Sequence, residues 1–187
     1  MILKHLNGRT MRGSVHLAIL ACFVMALIPI ACSRSSEPSR AAGAPKNREI
    51  MAPENGQAIG GYDAVSYFRD GGPSEGVASY SYRWRDATWL FATAEHRELF
   101  AQDPQRYAPA YGGWCAYGMA EGYAAESDPL EGWAIHEGVL YLNWDAEVAA
   151  EWRADRASLL SRSEANWPEV KSTLQNGTAE IYWHDDE

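Results

Sequence analysis

The stretch Phe91–Met119, FATAEHRELFAQDPQRYAPAYGGWCAYGM, says more about the fold and chemistry of this chain than any other segment. It contains Cys115, the only cysteine of the folded region, and His96, one of three histidines beyond the N-terminal leader. A thiol and an imidazole are the side chains best suited to metal ligation or thiol chemistry near neutral pH. A functional site is therefore expected here.

Local signals within this stretch predict short helices. Thr93 is a good N-cap for a helix over 94–102, in which His96 is the third residue. Asp103-Pro104 predicts a further turn, because proline is favoured at the first helical position. Gly112-Gly113 introduces a short helix over 114–120, which would place Cys115 and Met119 on one face.

The flanking sequence predicts two β-hairpins and further helices. Residues 79–84 and 88–91 flank the turn signal Arg85-Asp86. Residues 133–136 and 139–143 flank Glu137-Gly138 in the same way. Upstream, Ile59 to Phe68 begins with a Gly-Gly turn and then alternates.

Helices follow the second hairpin. One is expected from Asp145 to about Arg153, and a longer helical segment over 155–174 is expected to break at Trp167-Pro168. The order β-β-α, then β-β-α, predicts a small single α+β domain of two hairpins and short helices, with C-terminal helices. No internal repeat is evident in the sequence.

The first 31 residues predict a bacterial secretory signal. Lys4, Arg9 and Arg12 form a positive n-region, and an apolar run over 16–31 follows it. Met11 is an alternative start to Met1. A retained membrane anchor is the alternative interpretation, but the run is shorter than the roughly 20 residues that a spanning helix usually needs.

Cys32 follows this apolar run in a sequence that resembles a lipobox. Lipidation of Cys32 would anchor the exported chain to a membrane in the periplasm or cell envelope, whereas the alternative is ordinary cleavage near Ala31. Residues 32–57 are rich in Ser, Pro, Ala and Gly, and predict a flexible linker. The domain is expected over 58–175, and an acidic C-terminal tail over 176–187.

Composition restricts the classes of partner. The leader carries three of the 16 basic residues and none of the 25 acidic ones. The rest of the chain therefore has 13 basic and 25 acidic residues, a net charge of −12. A nucleic-acid role is disfavoured, because phosphate contacts need a basic surface. All eight tryptophans lie between Trp84 and Trp183, which gives apolar mass for a core without disulfides. Cys115 has no partner for a disulfide within the domain.

Four ordered segments resemble the YHS domain family, and more closely its bacterial secreted branch, the YHS domain-containing (seleno)proteins. The resemblance covers roughly residues 58–170 and is carried by GYDAVSYF (61–68), FATAEHRELFAQDPQRYAPAYGGWCAY (91–117), DPLEGWAIHEGVLYLNWD (128–145) and ANWP (165–168). It implies a small α+β module related to cysteine-based metal-binding domains, some of which occur in copper-handling proteins.

The family's ligand positions fall on Ser66, Ala92 and His96 in this chain, so the resemblance implies that two of three metal ligands are missing. Serine and alanine cannot supply the thiolates that Cu(I) prefers. Cys115 lies outside that ligand set, in the GGWCAY segment of the secreted branch. The inherited metal site is therefore expected to be degenerate.

Each candidate residue has a structural alternative. Cys115 is either a ligand or redox thiol, or a buried small hydrophobe. His96 either faces Cys115 as a ligand or packs on Tyr107 or Trp114, and Met119 is either a soft ligand or a core residue.

The remaining candidates are expected to have structural roles. His136 is expected to be exposed at a turn, and His184 to lie in a solvated tail. Capping is expected of Asp63 and Asp128. Core packing rather than a stacking pocket is expected of six aromatic residues, namely Tyr62, Tyr67, Tyr107, Tyr111, Trp114 and Tyr117.

Three functions stay open from sequence. The first is a cell-envelope metal-binding module for copper or zinc, with Cys115 and His96 or Met119 as ligands. The second is an interaction module that keeps the YHS fold but not its metal, with an unknown protein partner. The third is a periplasmic thiol redox protein that uses Cys115. No motif of a hydrolase, P-loop or dinucleotide-binding enzyme occurs, so an enzyme is not favoured.

Overall fold

Short helices and two-stranded sheets alternate along this chain. The computed structural model describes residues 48–53 and 55–184, so the leader, Cys32, most of the linker and the last three residues lie outside the described residues. The elements, in chain order, are a 3-10 turn (Ala58–Gly61), α1 (Ser66–Arg69), β1 (Val77–Trp84), β2 (Ala87–Phe91), α2 (Ala94–Gln102), α3 (Pro104–Tyr107), a second 3-10 turn (Ala110–Gly113), α4 (Ala116–Glu121), β3 (Ala124–Ala125), β4 (Trp133–His136), β5 (Val139–Leu142), α5 (Ala146–Ala154), α6 (Arg156–Asn176) and β6 (Ile181–Tyr182). This confirms the α+β class.

Both predicted hairpins form. β1 pairs antiparallel with β2, and β4 pairs antiparallel with β5, each across a two-residue turn. The turn residues Arg85, Asp86, Glu137 and Gly138 all have positive φ, between 50° and 76°. Two such residues match the right-handed twist of the flanking strands, which explains the tight connections.

The predicted caps of α2 and α3 are also confirmed, and α5 starts directly after Asp145 as expected. Thr93 accepts from the N–H of His96, while Asp103 and Asp145 cap α3 and α5. The predicted break at Pro168 is wrong, because α6 continues through it from Arg156 to Asn176. Its buried residues lie on both sides of the proline, so packing holds the two halves in one helix.

An internal repeat is present, contrary to the expectation from sequence. The two 3-10 turns start 52 residues apart, at Ala58 and Ala110, and contain the same run of left-handed residues. The hairpin turns at 85–86 and 137–138 keep the same offset. So do α2 and α5, which are each nine residues long. We call residues 58–102 the first repeat and residues 110–154 the second repeat.

The segment before the first repeat belongs to the fold. Ile50 and Met51 are buried, at 4 % and 1 % exposure. Met51 joins the two 3-10 turns, because its N–H donates to the carbonyl of Gly112 and its carbonyl accepts from Ile59, both at 2.8 Å. Within the linker predicted for 32–57, residues 49–51 are therefore buried in the fold and bonded to it.

The chain end also packs on the fold. β6 pairs in parallel with β3, and Trp183 contacts Trp114 with ring centroids 5.7 Å apart. Within the acidic tail predicted from residue 176, residues 181–183 therefore pack on the fold. In the part of the chain that the structure describes, no helix has the length and apolar character to cross a membrane.

Aromatic side chains fill the core between the hairpins and the helices. Phe100 of α2 is fully buried, and its ring centroid lies 4.8 Å from that of Trp89 and 5.1 Å from that of Phe91. Trp152 takes the equivalent place on α5 and lies 4.8 Å from Tyr141. Each repeat thus packs one large aromatic residue of its helix against its own hairpin.

Candidate functional site

Asp63 is the centre of a buried polar cluster. Its side chain is 0 % exposed. Oδ1 accepts from the backbone N–H groups of Val65 at 2.8 Å and Ser66 at 3.3 Å, so Asp63 has the capping role expected of it. Oδ2 accepts from the N–H of Ala92 at 2.9 Å and lies 2.6 Å from Nδ1 of His96. The carboxylate therefore connects α1, the end of β2 and α2.

The three positions that the YHS resemblance marks for metal ligands meet at this carboxylate. Ser66, Ala92 and His96 come from separate segments, yet each donates a hydrogen bond to Asp63. The Ser66 hydroxyl is occupied too, since it donates to the Asp63 carbonyl at 2.8 Å and accepts from the N–H of Ser74 at 3.1 Å. Among the three positions, only His96 has a nitrogen left for a ligand.

His96 directs one ring nitrogen inward and the other toward the surface. With Nδ1 donating to Asp63, Nε2 is the nitrogen that could bind a ligand. Nε2 lies 3.9 Å from Oδ1 of Asp70, whose side chain is half exposed. In the described part of the chain, no group of three or more His, Cys, Asp or Glu residues could hold a metal ion. A copper or zinc ion would thus find one nitrogen and one half-exposed carboxylate here.

Cys115 caps α4 rather than lying within the predicted helix over 114–120. Its Sγ accepts from the N–H of Gly118 at 3.4 Å, and the backbone N–H groups of Tyr117 and Trp144 lie near enough to lower the pKa of the thiol. Burial raises the pKa of the Cys115 thiol, and these N–H groups lower it by less. At 2 % exposure the protonated thiol is favoured, which opposes the thiolate that ligation or nucleophilic attack requires.

Cys115 and Asp63 occupy equivalent positions in the two repeats. We call the backbone N–H groups of Val65, Ser66 and Ala92 the first N–H cradle. The same positions 52 residues later are Tyr117, Gly118 and Trp144, which form the second N–H cradle around Cys115. The fold therefore builds one cradle twice and fills it with a carboxylate in one repeat and a thiol in the other.

The histidine is not repeated. Val148 stands at the position equivalent to His96, since each is the third residue of its helix and donates its N–H to the N-cap side chain. A β-β-α unit of this shape therefore forms without an imidazole at this place. His96 and its bond to Asp63 distinguish the first repeat from the second.

The structure does not bring His96 and Cys115 into one site. Within the described residues, His96 pairs with Asp63 and Asp70, whereas the Cys115 thiol bonds to the second N–H cradle, and no hydrogen bond or ion pair joins the two. Met119 does follow Cys115 by one helical turn, but its side chain is 0 % exposed and packs in the core. The shared Cys115–His96 metal site expected from sequence has no support in this geometry.

The aromatic candidates serve the core, as expected. Tyr67, Tyr107, Tyr111 and Trp114 are buried, and their rings contact different partners rather than a common pocket. Tyr62 and Tyr117 are partly buried against the same core. The ring of His96 is buried and bonds to Asp63.

The two remaining histidines differ in environment. His136 ends β4 beside the turn, where its side chain is 27 % exposed and its Nε2 lies 3.8 Å from Glu137. His184 is exposed, as expected, but its ring stacks on Trp144 with centroids 3.9 Å apart. Asp128 caps a turn through the N–H groups of Leu130 and Glu131, as expected.

Three residues make contacts that the sequence did not indicate. Asp70, expected only in a turn, lies near His96, and His184, expected only in a solvated tail, stacks on Trp144. Glu49, in the predicted linker, is buried and pairs with Arg85 and Lys171. The offset of 52 residues between matching Gly-Gly pairs was the available signal for the repeat.

Comparison with protein-family models, curated proteins and solved structures gives no match for this chain.

Proposed function

We propose that this chain is an exported YHS-type domain of the bacterial cell envelope that acts as an interaction module, in which a hydrogen-bonded carboxylate replaces the family's metal site. The leader, the lipobox-like Cys32 and the ordered YHS segments support export and membrane attachment. The partner in this proposal is another envelope protein. Without its leader, this chain has 13 basic and 25 acidic residues and a net charge of −12, which would favour a partner of opposite charge.

One observation carries the proposal. The three positions that would ligate a metal converge on Asp63, which uses both of its oxygens to bind them. A metal would have to displace a 2.6 Å hydrogen bond between His96 and a buried carboxylate, or bind through Nε2 alone. A soft ion such as Cu(I) gains little from a single imidazole, because it prefers several sulfur ligands. The fold is thus kept, while hydrogen bonds to Asp63 occupy the positions at which the family binds a metal.

A metal titration of the domain tests this proposal. Residues 48–187 would be titrated with Cu(I), Cu(II) and Zn(II) against a competing chelator, alongside His96→Ala and Cys115→Ser. We expect binding of micromolar affinity or weaker, and equal in all three proteins. Tight, stoichiometric binding that His96→Ala or Cys115→Ser abolishes would show that the metal site is active and would overturn the interaction module.

The second N–H cradle supports a second candidate, thiol chemistry at Cys115. The sulfur accepts from the N–H of Gly118, and the N–H groups of Tyr117 and Trp144 also favour its negative charge, from positions equivalent to the three that bind a carboxylate in the first repeat. Such an arrangement stabilises negative charge once the thiol is deprotonated or oxygenated. Mass spectrometry after peroxide treatment, with Cys115→Ser as control, tests it. An unmodified thiol in folded protein, with modification only after unfolding, would exclude this candidate.

A further inference from the structure

Two buried polar atoms of the second repeat have no hydrogen-bond partner among the residues that the structure describes. They are Oδ1 of Asn143, the residue after β5, and Nε1 of Trp152 in α5. Both residues are 0 % exposed. An amide oxygen only accepts and an indole N–H only donates, so the two atoms are complementary. Because buried polar groups are nearly always hydrogen-bonded, each of these atoms implies a partner in the interior.

Trp152 packs on its hairpin in the same way as its counterpart in the first repeat, Phe100. The Phe100 ring packs on Trp89, with centroids 4.8 Å apart and ring planes at 32°. The Trp152 ring packs on Tyr141 with the same centroid distance and the same angle. Both pairs stand at the offset of 52 residues, so the two contacts are equivalent.

This equivalence also places Asn143. In the first repeat, Phe100 packs on a second hairpin residue, Phe91, with ring centroids 5.1 Å apart. Asn143 stands at the position equivalent to Phe91. Because the helix ring is seated alike in both repeats, the side chain of Asn143 lies against the indole of Trp152. An apolar contact of the first repeat is thus replaced by two complementary polar groups.

The backbone and the amide nitrogen of Asn143 are already engaged. Its N–H donates to the carbonyl of Gly132 at 2.8 Å, and Nδ2 donates to the same carbonyl at 3.3 Å. Its own carbonyl accepts from the N–H of Asp128 at 2.9 Å. A rotation of the amide by half a turn would break the bond from Nδ2. The free group that Asn143 presents is therefore the acceptor Oδ1, which suits the donor of Trp152.

We propose that the second repeat contains an internal binding site for one water molecule between Asn143 and Trp152. The water accepts from Nε1 of Trp152 and donates to Oδ1 of Asn143, two atoms that do not bond to each other directly. Water fits this site because it both donates and accepts, and buried waters make about two to four hydrogen bonds to groups that lack other partners. The site does not depend on the interaction module, since none of its atoms belongs to the Asp63 cluster.

NMR of the tryptophan indole groups tests the site. Residues 33–187 with ¹⁵N-labelled tryptophan would be used, and Trp152→Phe identifies the signal of Trp152. We expect a nuclear Overhauser effect (NOE) between the indole hydrogen of Trp152 and the water resonance, although this residue is fully buried. Trp89 is the matched control, because it is also 0 % exposed but its Nε1 donates to the carbonyl of Trp84 at 3.2 Å. We expect no water NOE for Trp89.

Two variants identify the groups that hold the water. Asn143→Leu removes the acceptor, and we expect it to abolish the water NOE of Trp152 and to lower the urea midpoint of unfolding. Tyr141→Phe removes the nearest hydroxyl on the packed ring, and the NOE should persist, which excludes magnetisation relayed through that hydroxyl. A double variant, Asn143→Phe with Trp152→Phe, reproduces the apolar pair of the first repeat. Its midpoint should fall by less than the sum of the two single losses, because no polar atom is then left unpaired.

Three results would overturn the site. One is a Trp152 indole hydrogen without a water NOE in the wild type. Another is a water NOE that Asn143→Leu leaves unchanged, because Asn143 would then not hold the water. The third is a crystal structure in which Oδ1 of Asn143 accepts directly from Nε1 of Trp152.

Discussion

At the scale of single residues, Asp63 and Asp128 perform the same capping task in different surroundings. Asp63 is fully buried and accepts from Val65, Ala92 and His96, whereas Asp128 caps a turn at the surface. Replacing Asp63 by Ala leaves several buried donors without an acceptor, each at a cost of roughly 1–3 kcal/mol. We expect Asp63→Ala to lower the free energy of unfolding by about 3 kcal/mol or more, and Asp128→Ala by about 1 kcal/mol. Urea denaturation compares them, and equal losses would contradict the central role of Asp63.

Glu49 is the second residue whose chemistry yields a prediction. Burial alone would raise the pKa of Glu49, but the hydrogen bond from Lys171 and the charges of Arg85 and Lys171 outweigh it, so this pKa is lowered. A carboxyl with a lowered pKa stabilises the fold above its unfolded-state pKa, and that contribution is lost as pH falls through the folded-state pKa. The stabilising contribution is therefore fully present at pH 7, begins to decline near pH 4.5, the ordinary value for a glutamate, and is lost as pH falls through the lowered folded-state pKa.

Glu49→Gln tests this linkage. We expect the variant to lose about 1–2 kcal/mol of unfolding free energy at pH 7, because hydrogen bonds to charged groups are lost, and to differ less from wild type at pH 3.5. Glu98→Gln is the control, since Glu98 is 58 % exposed and pairs only with its neighbour Arg97. A difference between Glu49→Gln and wild type that grows as pH falls would have the wrong sign.

At the scale of elements, the second 3-10 turn depends on one glycine. A Cβ on Gly112 would lie 1.9 Å from the carbonyl oxygen of Glu49, and its φ is +68°. Gly71 has a similar φ of +80°, but a Cβ added there would have no atom within 4 Å. We expect Gly71→Ala to cost about 1 kcal/mol from backbone strain alone, and Gly112→Ala to cost several times more. Thermal unfolding of the two variants measures the difference, and similar losses would contradict the close approach.

Elements that follow from neighbouring residues were predictable from sequence. The hairpins at 85–86 and 137–138 and the caps Thr93 and Asp145 rest on turn and capping chemistry within a few positions. The ordered segments 48–53 and 181–184 were not predictable, because each pairs with residues far away in the sequence. Met51 bonds to Gly112, and Tyr182 pairs with Ala125. The composition around both segments predicted a linker and a tail, whereas hydrogen bonds to residues far away in the sequence order them.

At the scale of the whole molecule, the repeat was hidden for a similar reason. Identity at the offset of 52 is concentrated in small residues, such as the pairs Gly60–Gly112 and Gly61–Gly113. The residues that carry chemistry differ, since Asp63 matches Cys115 and His96 matches Val148. The resemblance to the YHS family grouped Ser66, Ala92 and His96 as ligand positions, and these are neighbours in space. It did not count Asp63, the residue that joins them, among those positions.

The repeat predicts that the Asp63–His96 pair can be transplanted. Cys115→Asp alone would place a carboxylate in the second N–H cradle without an imidazole, and we expect it to lower the unfolding free energy by about 2–4 kcal/mol. Val148→His alone would place an imidazole beside a thiol, at a cost of about 1 kcal/mol. If the positions are equivalent, the double variant restores the first-repeat arrangement, and the two substitutions should couple favourably by about 1–3 kcal/mol.

Urea denaturation of wild type, both single variants and the double variant gives this coupling energy directly. A pair of surface positions with the same offset, Glu95 and Glu147, provides a control cycle with Gln substitutions, in which additivity is expected because distant sites couple weakly. The double variant should also show a hydrogen-bonded imidazole N–H for residue 148 by NMR, as we expect of His96 in the wild type. The two cradles have backbone donors at equivalent positions. If the losses of unfolding free energy at positions 115 and 148 are additive, only the backbone arrangement is repeated and the side-chain pair is not. Favourable coupling would mean that the fold supplies two interchangeable sites, of which this sequence uses one for an imidazole and the other for a covered thiol.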